Sequence, residues 1–121
     1  MIIGMFADLH SNLPALEAMV EKFGRKIDLW MSAGDSVGLF PQVNETLSLL
    51  RHLNVHMVCG DHERFLISGD TMSWSYTGNQ ALQAQRKSIT KENFDYLCSL
   101  PERLDFNIDG LNIRLIHDAT G

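Results

Sequence analysis

The chain has 121 residues and a formal net charge of −5, with 45% hydrophobic and 21% charged residues, which is typical of one folded domain. No apolar run is long enough to cross a membrane, and the opening run lacks the basic flank and cleavage site of a signal peptide, so we expect a cytoplasmic protein. The acidic balance, with no prominent basic cluster beyond Arg86-Lys87, argues against avid binding to nucleic acid.

The first predicted element is the apolar run at residues 1–7, which ends abruptly at Asp8-Leu9-His10. An apolar run of this kind is typical of a buried parallel strand that carries two polar groups at its carboxyl end. Open α/β sheets bind their ligands at that edge. Asp and neutral His are both good ligands for divalent metals, so the pattern indicates a metal site.

The same layout recurs in two further segments. Residues 27–33 form a largely apolar run that ends in Gly34-Asp35, and residues 55–59 form one that ends in Gly60-Asp61-His62-Glu63. Parallel strands would bring these acids to one edge of the sheet. Like charges so close together are costly unless a cation neutralises them, and the recurrence therefore strengthens the prediction of a metal site.

Two amphipathic helices are predicted between these strands. Ser11 or Asn12 caps the first helix, Gly24 is a natural stop for it, and the second ends near Asn54. The resulting βαβαβ order predicts a parallel sheet with helices packed on it. The apolar stripes are Leu13, Leu16, Val20 and Phe23 in the first helix, and Val43, Leu47 and Leu50 in the second.

Beyond the third strand the pattern changes to helices and a hairpin. We interpret residues 62–75 as a partly exposed cap or loop with aromatic surface at Trp74 and Tyr76. Residues 78–87 form a polar helix, and Thr90 caps a short helix that Pro101 ends. Alternating segments at 104–108 and 111–115 flank Asp109-Gly110, a strong signal for a two-residue hairpin turn, and the return strand carries His117 to its end.

Cys59 and Cys98 are the only cysteines, and both lie in apolar sequence. Nothing in the sequence indicates an oxidising compartment. We therefore expect two buried free thiols and no disulfide.

Together these motifs resemble those of the calcineurin-like metallophosphoesterases, whose patterns are D-x-H, G-D-x-x-G and G-N-H-[DE]. Residues 8–18 are similar to the small bacterial branch of that superfamily. The resemblance implies part of a four-layer α-β-β-α sandwich, with a βαβαβ parallel sheet followed by helices and a β-hairpin. The family's last motif, G-H-x-H, lies beyond the hairpin and is absent here, so we expect residues 1–121 to form a single, incomplete domain. The matching segments are Asp8-Leu9-His10, Gly34-Asp35-Ser36-Val37-Gly38, Gly60-Asp61-His62-Glu63 and Leu115-Ile116-His117.

The resemblance also implies a site for two divalent metal ions, which clamp a phosphoester while a metal-bound hydroxide attacks phosphorus. Mn²⁺ is the metal that we expect most, with Fe, Zn, Ni and Mg as alternatives. Asp61 stands where the family has Asn, and it adds a negative charge. Carried onto this chain, Asp8 and His10 bind the first ion, Asp35 bridges both, Asp61 and His117 bind the second, and His62 is the catalytic residue beside them.

The expected function is hydrolysis of a small phosphodiester or phosphomonoester. A noncatalytic interaction or scaffold module on the same fold remains an alternative, favoured by Asp61 and by the missing terminal motif. A regulatory domain like the response regulators is a weaker third reading, because it needs a phosphoacceptor acid and a downstream lysine. A homo-oligomer could complete the exposed sheet edge, whereas membrane and nucleic-acid partners are not expected.

Overall fold

The computed structural model describes residues 1–71 and 75–118. Three parallel strands form a sheet in the order β1-β2-β3, and two antiparallel strands form a separate hairpin. This arrangement of a βαβαβ unit, helices and a hairpin confirms the predicted fold. In chain order the elements are β1 (Ile3–Phe6), α1 (Leu13–Phe23), β2 (Leu29–Ser32), α2 (Val43–His52), β3 (His56–Met57), α3 (Asp61–Ser68), α4 (Tyr76–Ser88), α5 (Lys91–Cys98), β4 (Arg103–Ile108) and β5 (Leu111–Ile116).

The parallel sheet separates two apolar clusters. Successive side chains of a strand point to opposite faces, and in β2 Trp30 joins the cluster on the helix side while Met31 joins the cluster on the hairpin side. Leu115 of β5 packs with Met31 on that second face. The molecule is thus layered as helices, parallel sheet and hairpin. The largest fully buried side chains on the helix side are Leu16, Leu47, Leu50, Leu66, Leu82 and Leu97.

The ends of α1 show how local sequence sets an element. The Asn12 side chain accepts a 3.2 Å hydrogen bond from the backbone N–H of Ala15 and so caps the helix, which selects Asn12 over Ser11. Gly24 does not turn the chain sharply. Its φ of −55° keeps the backbone helical, and a 3₁₀ turn continues to Lys26. Phe23 is 44% exposed, so the predicted stripe was wrong at its last position.

Residues 61–68 form a helix where we expected a cap or loop. At its start, the Glu63 side chain accepts a 3.2 Å hydrogen bond from the N–H of Gly60. At its end, Gly69 adopts a left-handed φ of 79° and donates its N–H to the Phe65 carbonyl. The two bounding glycines were the overlooked signal. Trp74 lies outside the described residues, and Tyr76 is 78% exposed at the start of α4.

The two cysteines differ in burial. Cys59 is buried, but Cys98 is exposed at the end of α5, so the expectation of two buried thiols was wrong for Cys98. A helix of eight residues has a short apolar face, and Cys98 lies outside the face that buries Leu97. Both thiols are free. Within the described ranges, no helix is long and apolar enough to span a membrane.

Candidate metal centre

Backbone hydrogen bonds join the loops that follow β1 and β2. The N–H of Asp8 donates to the Gly34 carbonyl at 3.0 Å, and the N–H of His10 donates to the Asp35 carbonyl at 3.0 Å. These two loops therefore run side by side at the carboxyl edge of the sheet. Their pairing brings the side chains of the first two motifs to one place.

The loop after β3 approaches the same place through Gly60. A Cβ atom at this position would lie 2.5 Å from Oδ1 of Asp35, which no side chain tolerates. With glycine present, the backbone N–H of His62 reaches Oδ1 of Asp35 and donates a hydrogen bond of 2.9 Å. Glycine is thus required for the third motif to close on the second.

Three of the predicted ligands have a left-handed backbone. The φ angles are 57° at Asp8, 53° at His10 and 57° at Asp35. This conformation costs an L-residue roughly 1–2 kcal/mol, and strain of this kind is found most often at functional sites. The loops hold these side chains in place against that cost.

Five of the six predicted site residues form two groups that share Asp35, and Asp8 lies outside both groups. Ligand atoms of His10, Asp35 and His62 all lie within 4.8 Å of one another. On the other side, Nε2 of His117 is 3.5 Å from Oδ2 of Asp35 and 3.7 Å from Oδ2 of Asp61. Asp35 is therefore the carboxylate common to both groups.

The hydrogen bonds of three histidines define their tautomers. Nδ1 of His10 and Nδ1 of His62 contact the Val37 carbonyl at 3.2 and 3.1 Å, and Nδ1 of His117 contacts the Ala33 carbonyl at 2.7 Å. A carbonyl oxygen can only accept, so Nδ1 carries the proton in each ring. The lone pair of every Nε2 is left open, as metal ligation or proton uptake requires.

The pKa values of two of these histidines shift in opposite directions. Burial, helped by nearby His10, lowers the pKa of His62, and the Asp35 carboxylate offsets this only in part. Burial also acts to lower the pKa of His117, but the Ala33 hydrogen bond and the carboxylates of Asp35 and Asp61 outweigh it and raise the pKa. His62 is consequently neutral at pH 7, whereas His117 is poised closer to its charged form.

Two predicted ligands are more exposed than the rest. The Asp8 side chain is 65% exposed, and its Oδ1 lies 4.0 Å from Nε2 of His10. The Asp61 side chain is 42% exposed, and its Oδ1 lies 3.6 Å from the Arg64 guanidinium group, which partly offsets the charge that Asp introduces in place of Asn. Across residues 1–71 and 75–118, neither Asp8 nor Asp35 forms an ion pair with Lys or Arg.

Glu63 links the loops of the candidate metal centre through hydrogen bonds to their backbone. The sequence alone did not indicate this role. Its fully buried carboxylate accepts backbone hydrogen bonds from Asp35 at 2.8 Å, from Ser36 at 3.2 Å and from Gly60 at 3.2 Å. Burial and the nearby Asp35 raise the pKa of Glu63 to about 7. Glu63, the fourth residue of the third motif, thus joins the loop after β2 to the loop after β3.

The donor set suits a divalent cation. Carboxylate oxygens and imidazole Nε2 atoms are ligands for Mn, Fe, Zn and Ni. Within the described part of the chain, Arg64 beside Asp61 is the only Lys or Arg that pairs with the acids at this edge. The residues present therefore fit the metal ions that the resemblance implies.

A cavity of about 520 Å³ adjoins this centre beside His117. Its walls come from the end of the hairpin, from α3 and from the loop before β4. Three of the lining side chains are guanidinium groups, which form a basic wall beside two lining acids. Each guanidinium group is ion-paired, Arg64 with Asp61 and both Arg103 and Arg114 with Asp105. The lining residues are Cys59, Arg64, Glu102, Arg103, Arg114, Ile116, His117 and Asp118.

Fold and site together define a calcineurin-like phosphoesterase domain, and the family model for the calcineurin-like phosphoesterase superfamily domain matches residues 1–121. The chain belongs to this family. An uncharacterized protein of Methanocaldococcus jannaschii is 32% identical over 118 residues, which are 96% of this chain and 49% of that protein. The chain thus spans about half the length of the curated relative that it matches.

The solved structures that are similar to this chain include the following two. A metallophosphoesterase from Sphaerobacter thermophilus superposes with a TM-score of 0.70 at 32% identity, over 84% of this chain and 42% of that one. A hypothetical protein from Pyrococcus horikoshii superposes with a TM-score of 0.82 at 24% identity, over 94% of this chain and 54% of that one. The second likeness establishes the fold alone.

Proposed function

We propose that this chain carries the metal centre of a phosphoesterase that hydrolyses a small phosphodiester or phosphomonoester with two divalent ions, Mn²⁺ first among them. The observation that supports this proposal most directly is the position of Asp35. It lies between the group of His10 and His62 on one side and the group of His117 and Asp61 on the other. A carboxylate has two oxygens and can serve two ions at once.

The proposed ligands follow from this sharing. Asp8 and His10 would hold one ion, Asp61 and His117 the other, and Asp35 both. When bound, the ions would supply Lewis acidity at the phosphoryl oxygens. The open Nε2 atoms of His10 and His117 support this assignment, because a ring that donates from Nδ1 to a backbone carbonyl is held for ligation through Nε2.

His62 would act on the substrate. Its neutral ring carries a proton on Nδ1, which is committed to the Val37 carbonyl, so Nε2 must take up a second proton before it can donate one to a leaving oxygen. Asp35 favours the charged form of the ring and would stabilise it at that point. The role of His62 as the catalytic residue beside the ions is therefore chemically consistent with its surroundings.

The basic wall of the cavity supports an anionic substrate. Arg64, Arg103 and Arg114 line it together with His117, which is itself a proposed ligand. Guanidinium groups bind phosphate oxygens with good geometry.

The test is metal analysis combined with turnover. Protein purified without chelator should contain two equivalents of metal and should hydrolyse a generic aryl phosphodiester, and prior treatment with EDTA should abolish turnover until Mn²⁺ is restored. Protein with neither metal nor turnover would favour the noncatalytic scaffold on the same fold.

A further inference from the structure

Gln85 of α4 is a buried amide whose hydrogen bonds all reach loops of the candidate metal centre. It is 3% exposed. Oε1 accepts from the N–H of Gly38 at 2.8 Å and from the hydroxyl of Ser11 at 3.2 Å, and Nε2 donates to the Phe40 carbonyl. A helix that carries no proposed ligand is thus bonded to the loops after β1 and β2.

The segment that Gln85 holds also orients two histidines. This segment comprises residues 37–40. Its first carbonyl group, that of Val37, accepts hydrogen bonds from Nδ1 of both His10 and His62. The two rings are in contact, with their centroids 4.5 Å apart and their planes tilted by 52°. A Cβ atom at Gly38 would collide with Nδ1 of His62, so the backbone of this segment lies directly against the ring.

A further backbone bond couples the same segment to the loop after β1. The N–H of Phe40 donates to the His10 carbonyl at 3.1 Å. With Gly38 and Phe40 both fixed by Gln85, the Val37 carbonyl has little freedom to turn away from the rings. Loss of the Gln85 amide would leave two backbone groups without their partners and would release this segment.

We propose that Gln85 is a positioning residue, which fixes the Val37 carbonyl through Gly38 and Phe40 and thereby selects the Nδ1–H tautomer of His10 and His62. The tautomer leaves both Nε2 atoms open. The effect of Gln85 on the histidine tautomers is independent of catalysis. Only the effect of Gln85 on metal affinity rests on the proposed function.

Asn93 of α5 provides a matched control. It is also a buried helical amide, 2% exposed, and its Nδ2 donates to Oδ1 of Asn44 at 3.0 Å while its Oδ1 accepts from Arg51 at 3.3 Å. These bonds join α5 to α2 and touch no loop of the metal centre. Gln85→Met and Asn93→Leu each replace a buried amide by an apolar group of similar size, so both test packing, and only the first tests positioning.

The experiment is long-range ¹H–¹⁵N NMR of the histidine rings in metal-free protein at about pH 9, where an ordinary imidazole is neutral. We expect Gln85→Met to convert the His10 and His62 signals from pure Nδ1–H to mixed tautomers. His117, held by Ala33, should keep its signals, and Asn93→Leu should leave all three rings as in the wild type. Mn²⁺ titration should show about 10–100-fold weaker binding in Gln85→Met than in Asn93→Leu.

Unchanged His10 and His62 signals in folded Gln85→Met would overturn the proposal, as would the same changes in Asn93→Leu. Gln85→Glu is the second variant if Gln85→Met does not fold. A carboxylate still accepts from Gly38 but cannot donate to Phe40, so its His10 and His62 signals should also be mixed, and wild-type signals would overturn the proposal. Altered tautomers in a protein whose wild type binds no metal would support positioning and refute the proposed function.

Discussion

The backbone N–H of His62 donates a 2.9 Å hydrogen bond to the carboxylate of Asp35. That bond uses Oδ1, while Oδ2 of the same carboxylate faces Nε2 of His117 at 3.5 Å. The first turn of α3 and the end of the hairpin therefore meet at a single side chain. Any group that binds Asp35 acts on both elements at once.

Asp35→Asn should release more metal than substitution of any other proposed ligand. Asn offers one oxygen where a bridge needs two, but it tolerates the left-handed φ of 57° found at this position. Elemental analysis of the purified variants is the measurement. Asp109→Asn is the matched control, because Asp109 has a φ of 53° in the exposed hairpin turn. Full metal content in Asp35→Asn together with loss in Asp8→Asn would contradict the bridging role.

His62→Ala should lower turnover by about 10²–10⁴-fold and leave metal content nearly unchanged, because positioned proton transfer typically contributes that much. His62 lies within 4.8 Å of the ligand atoms of His10 and Asp35, so metal analysis must accompany the kinetics. His56→Ala, which alters an exposed ring, is the control. A loss of metal as large as that in His10→Ala would make His62 a ligand.

The contribution of Glu63 to the stability of the metal-free protein should fall as the pH rises from about 4.5 to about 7. Burial and Asp35 raise the pKa of Glu63 from 4.5 to about 7, so the folded protein binds this proton more tightly than the unfolded chain. The stabilisation that comes from this raised pKa is present in full below pH 4.5 and is lost as Glu63 ionises in the folded protein. Urea unfolding at several pH values, with chelator present, measures it.

Glu63→Gln removes this ionisation. His62 and His117 still titrate in both proteins, and the variant also loses the Glu63 charge that helps to raise the pKa of His117. The difference in unfolding free energy between wild type and Glu63→Gln should change across that pH window and level off above it. Glu92→Gln, at an exposed position in the first turn of α5, should show no such difference. A constant difference between wild type and Glu63→Gln would refute the raised pKa.

Thiol reagents should modify Cys98 rapidly and Cys59 only on unfolding. Cys98 is exposed, whereas Cys59 is 7% exposed and burial, together with the Glu63 carboxylate, raises the pKa of its thiol to about 11. The thiolate is the reactive form, so both factors slow Cys59. Mass spectrometry after brief treatment with iodoacetamide should find one adduct in the wild type and none in Cys98→Ser. An adduct on native Cys98→Ser would show that Cys59 is accessible.

The parallel sheet and the hairpin could be predicted because their signals are local. Each strand of the βαβαβ unit is an apolar run ending at polar residues, and Asp109-Gly110 adopts the positive φ angles, 53° and 82°, that a two-residue hairpin turn needs. The gathering of Asp8, His10, Asp35 and Asp61 at one edge follows from the direction of the parallel strands, whereas His117 comes from the separate hairpin. Their assignment to particular ions stays a prediction.

Helix α3 and the supporting polar residues could not be predicted in the same way. Residues 61–68 are too few to establish a helical period, so only the capping residues at the two ends could have indicated this helix. Gln85 lies in a polar helix, and nothing near it in sequence marks it as buried, because its partner Ser11 is 74 residues away. The role of Glu63 likewise depends on backbone groups of Asp35 and Ser36 in another loop.

The left-handed backbone at Asp8, His10 and Asp35 also bears on how this sequence evolves. Glycine would adopt those φ angles without steric cost, so selection for folding stability alone would favour glycine at each of them. Lineages that abandon metal chemistry should drift toward glycine or asparagine there and gain thermal resistance. Under the proposed function, the acids and the imidazole at these positions are kept for what their side chains bind.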